Sequence, residues 1–180
     1  MTKAIEIPSE HAERGPVVVP YRDEFRDAFE QLNREWIEAF FEMEAADRQI
    51  LADPRREILE SGGQVFFVVE QGAVKGTCAV LRHTSDECEI AKMAVARDAR
   101  GRGFGDLLMR ACIEFATQLG VRRVTILSNT ALEPAIRLYR KHGFVQVPVM
   151  EDARFQRVDI RLELELQPSA PPERPGAAAR

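Results

Sequence analysis

The sequence predicts an α/β (α+β) domain with a mixed sheet: a β-meander first, then strand–helix–strand units. Two observations carry this. Helix-period and strand-period stretches follow in the order strand, two helices, three strands, helix, strand, helix, two strands. A glycine-rich turn, "RGRGFG" at 100–105, sits between a strand pattern and a long amphipathic helix. The 180 residues, 45% of them hydrophobic, suffice for one well-filled domain and are too few for two comfortable ones.

The elements are justified in chain order. Residues 1–15 are charged and mixed and read as a loose arm, with the domain spanning 16–167. "VVVPY" at 17–21 reads as the first strand. Phe25, Phe29, Leu32, Trp36, Ile37, Phe40 and Phe41 recur at helical spacing. A second helical piece is interrupted near "DPRREIL", where Pro54 suits a first helical turn. After "SGG" at 61–63, residues 64–83 read as a hairpin turning at "EQGAV". "ECEIAKMAVA" at 87–96 is a third strand. A helix follows from about 105 to 119, its stripe formed by Leu107, Leu108, Ala111, Cys112, Phe115, Ala116 and Leu119, with Gly120 as its stop. A buried strand at 121–128, a helix at 132–143 and strands in "FVQVPV" and "RVDIRLELEL" complete the domain. "TALE" at 130–133 is a capping-box pattern for the second of these helices. The Pro/Ala-rich tail at 168–180 has little to bury and is expected to be disordered.

Composition narrows the function classes. A net charge of −4 argues against a nucleic-acid-binding body. Cys78, Cys88 and Cys112 fit neither a disulfide framework nor a zinc site, so a reduced, cytoplasmic protein without a metal is expected. The N-terminal residues lack a signal-peptide apolar core, and no run has the roughly 18 apolar residues of a membrane span.

The glycine turn carries the strongest chemical signal. Glycines let the backbone turn tightly and approach a ligand. A helix beginning directly after them offers unpaired N–H groups at its positive end, which is an anion site. Arg100 and Arg102 add positive charge. A dinucleotide fingerprint fails, because Asp106 or Leu108 stands where its last glycine belongs; no G-K-[ST] exists for a P-loop. An ordinary sharp strand–helix turn remains the alternative reading of the glycines alone.

What remains is R-x-x-G-x-G from Arg100 to Gly105. "KMAVARDARGRGFGDLLMRACIEFA" resembles the acyl-CoA-binding motif of the GNAT superfamily of N-acetyltransferases. "ILSNTALEPAIRLYRKHGF" resembles that superfamily's second signature, and the element order agrees over roughly residues 17–166. The resemblance implies a mixed, mostly antiparallel central sheet of about seven strands flanked by about four helices. It implies acetyl transfer from acetyl-CoA to a primary amine by direct attack in a ternary complex. It leaves the acceptor open, a small molecule being favoured over a peptide amine, and a homodimer is compatible with the fold.

The resemblance also assigns roles. Backbone N–H groups from Gly101, Arg102, Gly103, Phe104, Gly105 and Asp106 hold the pyrophosphate, flanked by Arg100 and Arg102. Met93, Ala94 and Val95 lie beside the pantetheine arm, and the N–H near Val95 polarises the thioester carbonyl. Asn129 contacts the pantetheine or the acceptor; its other reading is a turn or cap residue. Tyr139 is the general acid for the leaving thiolate. An amine of pKa about 10.4 is only on the order of 0.1% neutral at pH 7, so a base helps. Glu89 is the first candidate because its strand parity matches Met93 and Val95; Glu87 and Asp86 are alternatives. Glu42, Glu44 and Asp47 either favour a cationic acceptor or form a solvated helical face, the second being preferred. His11, His83 and His142 rank lower. The competing classes are a CoA-binding regulatory module without turnover and an interaction domain without a cofactor.

Overall fold

Alternating burial on the strands and one-sided burial on the helices build three layers, described in the computed structural model for residues 15–149 and 154–167. The expected arm and tail therefore lie outside the described residues, as does His11. The strands are β1 (Val17–Pro20), β2 (Gln64–Glu70), β3 (Ala73–Arg82), β4 (Glu87–Val95), β5 (Arg123–Ser128), β6 (Val145–Val147) and β7 (Ile160–Glu165). They form one sheet in the order β1-β2-β3-β4-β5-β7-β6. Every neighbouring pair is antiparallel except β4 with β5. The four α-helices among the described residues are α1 (Arg26–Phe40), α2 (Ala45–Ala52), α3 (Phe104–Gln118) and α4 (Glu133–Lys141). The mixed, mostly antiparallel seven-stranded sheet expected from the sequence is the one observed.

Strand alternation feeds two cores. Val65, Phe67 and Val69 of β2 join Ala79 and Leu81 of β3 against Phe25, Phe29 and Ile37 of the first helical region and Leu51 of α2. Cys78 and Val80 of β3 join Cys88 and Ile90 of β4 against Leu108, Met109 and Cys112 of α3 and Ile136 of α4. Each fully buried large apolar side chain contributes about 1.5–3 kcal/mol. The β2–β3 turn uses Gln71 and Gly72, both with positive φ (50° and 75°), the signature of a tight two-residue hairpin. Pro54 opens a π-helical turn at Arg55–Leu59.

Two features shape the site. β4 and β5 pair only from Glu87–Arg123 to Glu89–Thr125. β4 also bulges. Thr77 faces Ala94 and Ala79 faces Ala91, so Cys78 alone opposes both Lys92 and Met93. Lys92 takes φ 53°, a left-handed conformation that non-glycine residues rarely adopt.

Candidate active site

Beyond Glu89, β4 keeps β3 on one side but has no strand partner on the other. The split between β4 and β5 opens into a cleft of about 460 Å³. Ile90–Val95 form one wall and Ile126–Asn129 the other, and Tyr139 also lines it. Trp36, Phe40 and Phe41 of α1 and its end reach the far side, together with Phe155, Arg157 and Val158. Met93, Ala94 and Val95 therefore line the cleft along an open strand edge.

Of the glycine turn, Arg100 lines this cleft, while Gly101, Arg102, Gly103, Phe104, Gly105 and Asp106 do not. Gly101 and Gly103 have φ 74° and 85°, and a Cβ on either would meet nothing within 4 Å. Their requirement is conformational rather than steric. Gly103 is the N-cap of α3, and Leu107 N–H is the first to bond back, to Gly103 O at 3.2 Å. The N–H groups of Phe104, Gly105 and Asp106 precede it in the first turn, where helices leave donors unpaired. Gly105 does something else: a Cβ there would meet Leu138 Cδ2 at 3.0 Å, so it lets α3 pack on α4.

The two arginines differ. Arg100 lines the cleft, and its Nε donates to Val95 O at 3.1 Å. Arg102 is clamped by both oxygens of Glu70 at 2.9 and 2.7 Å and lies over the Phe104 ring. The Asp106 side chain binds His142 Nε2 at 2.9 Å and Lys141 Nζ at 2.7 Å, tying α3 to the end of α4.

Tyr139 projects from α4 into the cleft wall with only 8% exposure. Burial pushes its hydroxyl pKa up, opposed by a hydrogen bond with Ser128 on β5. Glu89 is 3% exposed and lines the same cleft. Its Oε2 lies 2.8 Å from His83 Nε2 and accepts from Arg154 at 3.0 Å. Burial works to raise its pKa, but the His83 hydrogen bond and the Arg154 charge outweigh it and hold the carboxyl below its usual range. The bulge corrects one expectation. Glu89 does not share a face with Met93 and Val95, because the extra residue at 92–93 reverses the alternation. Met93 and Val95 pack toward α3, whereas Ala91, in step with Glu89, packs toward α1 and α2.

A buried ionic cluster closes the far end. Lys92 Nζ donates to Asp47 Oδ1 at 2.6 Å, and Arg157 grips both oxygens of Asp47 at 2.6 and 2.7 Å. Arg157 also reaches Glu44 Oε1 at 2.9 Å. Asp47 Oδ2 accepts the Glu44 N–H at 3.0 Å, half of a capping box that starts α2. Burial opposes ionisation of Asp47, but the Arg157 and Lys92 contacts hold its pKa down at about 2. Burial lowers the pKa of Lys92, opposed by Asp47. Lys92 and Arg157 both face the Phe155 ring, at 4.7 and 4.8 Å.

The acetyltransferase (GNAT) family model matches residues 22–144. The chain belongs to this family. It is 30% identical to the uncharacterized N-acetyltransferase YjgM of Escherichia coli K12 over 105 residues, covering 54% of this chain and 63% of that protein. It is 29% identical to an amino-acid acetyltransferase of Haemophilus ducreyi over 103 residues, 56% of this chain and 23% of that one. The chain thus spans less than two thirds of these relatives' lengths. Among solved structures, a GNAT-family acetyltransferase from Staphylococcus aureus Mu50 superposes with a TM-score of 0.77 at 14% identity, covering 85% of this chain and 100% of that one. A phosphinothricin acetyltransferase from Sinorhizobium meliloti, solved in complex with AcCoA, superposes at 0.68 and 17% identity, covering 87% and 94%.

Against this GNAT frame, several expectations need correction. Glu44 and Asp47 do not form a solvated face: Asp47 is fully buried, and both carboxylates are bound by Arg157. Glu42 is exposed and away from the cleft lining. "TALE" is not a capping box. Leu132 is the N-cap, Thr130 binds Asp159 through its N–H and hydroxyl at 2.7 and 2.6 Å, and Glu133 pairs with Arg137. Asn129 lines the cleft while acting as a turn residue, bonding Arg157 O and Ala131 N–H. Glu87 accepts from Thr125, and Asp86 pairs with Arg122, so neither faces the cleft. The three cysteines are buried and free. Among the described residues, no group of His, Cys, Asp or Glu could hold a metal, and no helix is long and apolar enough to cross a membrane.

Sequence reading does not single out Lys92, Arg154 or Arg157, and it ranks His83 low. Lys92 carried a readable signal, since it is the one charge in the apolar run Ile90–Val95 of β4.

Proposed function

We propose that the protein transfers the acetyl group of acetyl-CoA to a primary amine by direct attack in a ternary complex. The observation that carries this reading is the cleft itself. One open strand edge, Ile90–Val95 of β4, lies in one cleft with Arg100 of the glycine turn before α3, a buried tyrosine and a buried glutamate. These residues fit acetyl-CoA. The first-turn N–H groups of α3 and the Arg100 guanidinium suit a pyrophosphate, with Arg102 held at a distance by Glu70. The lone edge of β4 at Met93–Val95 suits an amide-bearing pantetheine arm laid alongside as an extra strand.

Bound acetyl-CoA supplies an activated thioester carbonyl. The chain's own groups do the rest. The N–H near Val95 polarises that carbonyl oxygen. Glu89, directly or through water, takes a proton from the incoming amine. His83 beside it has 36% of its side chain exposed and so connects the carboxylate to solvent. Tyr139, whose buried hydroxyl stays protonated, gives a hydrogen bond and then a proton to the departing sulfur.

Thiol release from acetyl-CoA, followed with and without a panel of primary amines, tests the reading. Amine-stimulated CoA release is expected. Tight acetyl-CoA binding with no stimulation by any amine would leave a binding module instead.

A further inference from the structure

We infer that the acceptor is a primary amine carrying an aromatic group rather than a polycation or a lysine side chain. This rests on the acetyl-transfer reading above. Trp36, Phe40, Phe41 and Phe155 surround the far end of the cleft. Trp36 and Phe41 meet edge to face at 6.5 Å, and Phe40 tilts against Phe41 at 6.3 Å. Phe40 is nonetheless 57% exposed, the largest apolar side chain left in solvent among the described residues. Exposed aromatic surface at the mouth of a cleft is a binding surface waiting for a partner of its own kind.

The charges of this wall are already matched. Asp47 is bound by Lys92 and Arg157, Glu44 by Arg157, and Glu89 by Arg154 with His83 alongside. Among the described residues, the carboxylate that lines the cleft and those bound to Lys92 and Arg157 have their counter-ions, and the exposed Glu42 and Asp159 stand outside the lining. A second ammonium on the acceptor would lose its hydration against a lining that, among the described residues, holds no uncommitted carboxylate, and desolvating a charge without a partner is costly. An aromatic ring instead removes apolar area from water, on the order of 25 cal/mol per Å², and gains ring–ring contact. In the reaction the amine nitrogen bonds the acetyl carbon as the C–S bond breaks. The nitrogen's surplus proton passes to Glu89 and solvent, and the thiolate takes a proton from Tyr139.

The test compares kcat/KM for 2-phenylethylamine, spermidine and a lysine-containing tripeptide, read as acetyl-CoA-dependent thiol release. We expect 2-phenylethylamine to lead by about tenfold or more, and Phe40→Ala to reduce that lead to about threefold or less. A lead for spermidine or the peptide, or a lead for 2-phenylethylamine that Phe40→Ala leaves intact, overturns the aromatic assignment while acetyl transfer stands. No release with any amine while acetyl-CoA still raises the melting temperature overturns both.

Discussion

Lys92 Nζ sits 2.6 Å from Asp47 Oδ1, and both side chains are almost wholly buried, at 4% and 0% exposure. A left-handed residue at a strand bulge thus places a lysine against the N-terminus of α2, with Arg157 completing the cage. Removing one member of a buried ion cluster strands the others. Asp47→Asn should therefore destabilise the fold by about 3 kcal/mol or more. Lys92→Met leaves Asp47 with Arg157 and should cost clearly less. Urea denaturation of both variants checks the order; equal losses would mean that Asp47 is not the hub.

The same carboxylate gives the stability a pH dependence. Asp47 has a folded pKa of about 2, below the unfolded value of about 3.9, and Glu89 is shifted in the same direction. A depressed carboxylate stabilises the fold above its unfolded pKa and loses that contribution as pH falls toward the folded one. The melting temperature should be flat above about pH 5 and fall steeply toward pH 2. Asp47→Asn should flatten that fall. An unchanged slope in the variant would contradict the assignment.

The layered fold was legible because its determinants are local and periodic. The stripe on α3 and the positive-φ glycines at 72, 103, 120 and 143 punctuate the chain where the pattern says. The turn before α3 and the helix that carries Tyr139 were also legible as structure, since each belongs to a contiguous stretch of sequence. The β4 bulge was not. Nothing in "EIAKMAV" announces an extra residue, and one such residue reverses every later parity, which is why Glu89 was placed on the wrong face. The ionic cluster was hidden for a different reason: Asp47 and Arg157 meet across 110 residues, a pairing that no local pattern encodes.

The glycine turn makes a separable prediction. Gly103 holds φ 85° in open space, so Gly103→Ala strains the backbone without a clash and should cost about 1–2 kcal/mol. Gly105 lacks a positive φ, and a Cβ there meets only the terminal methyl of the half-buried Leu138, at 3.0 Å. Thermal denaturation of the free proteins should therefore show a larger loss for Gly103→Ala than for Gly105→Ala. An equal or larger loss for Gly105→Ala would refute the distinction.

The arginines should part company in binding. Arg100 lines the cleft, while Arg102 is spent on Glu70 and Phe104. Arg100→Ala should weaken acetyl-CoA binding by about tenfold, the loss of one charge-assisted contact, and Arg102→Ala by about threefold or less. Calorimetric titration with acetyl-CoA measures both. A larger loss for Arg102→Ala would reverse the assignment.

The most direct measurement concerns Tyr139, buried in the cleft wall with its proton held. Tyr139→Phe keeps the ring and removes only the hydroxyl. With acetyl-CoA and a turned-over amine, kcat should fall by about 100-fold, in the range expected for loss of a general acid, while the acetyl-CoA Kd stays within about threefold. An unchanged kcat, or equal losses in kcat and binding, would contradict proton donation by Tyr139 to the leaving thiolate.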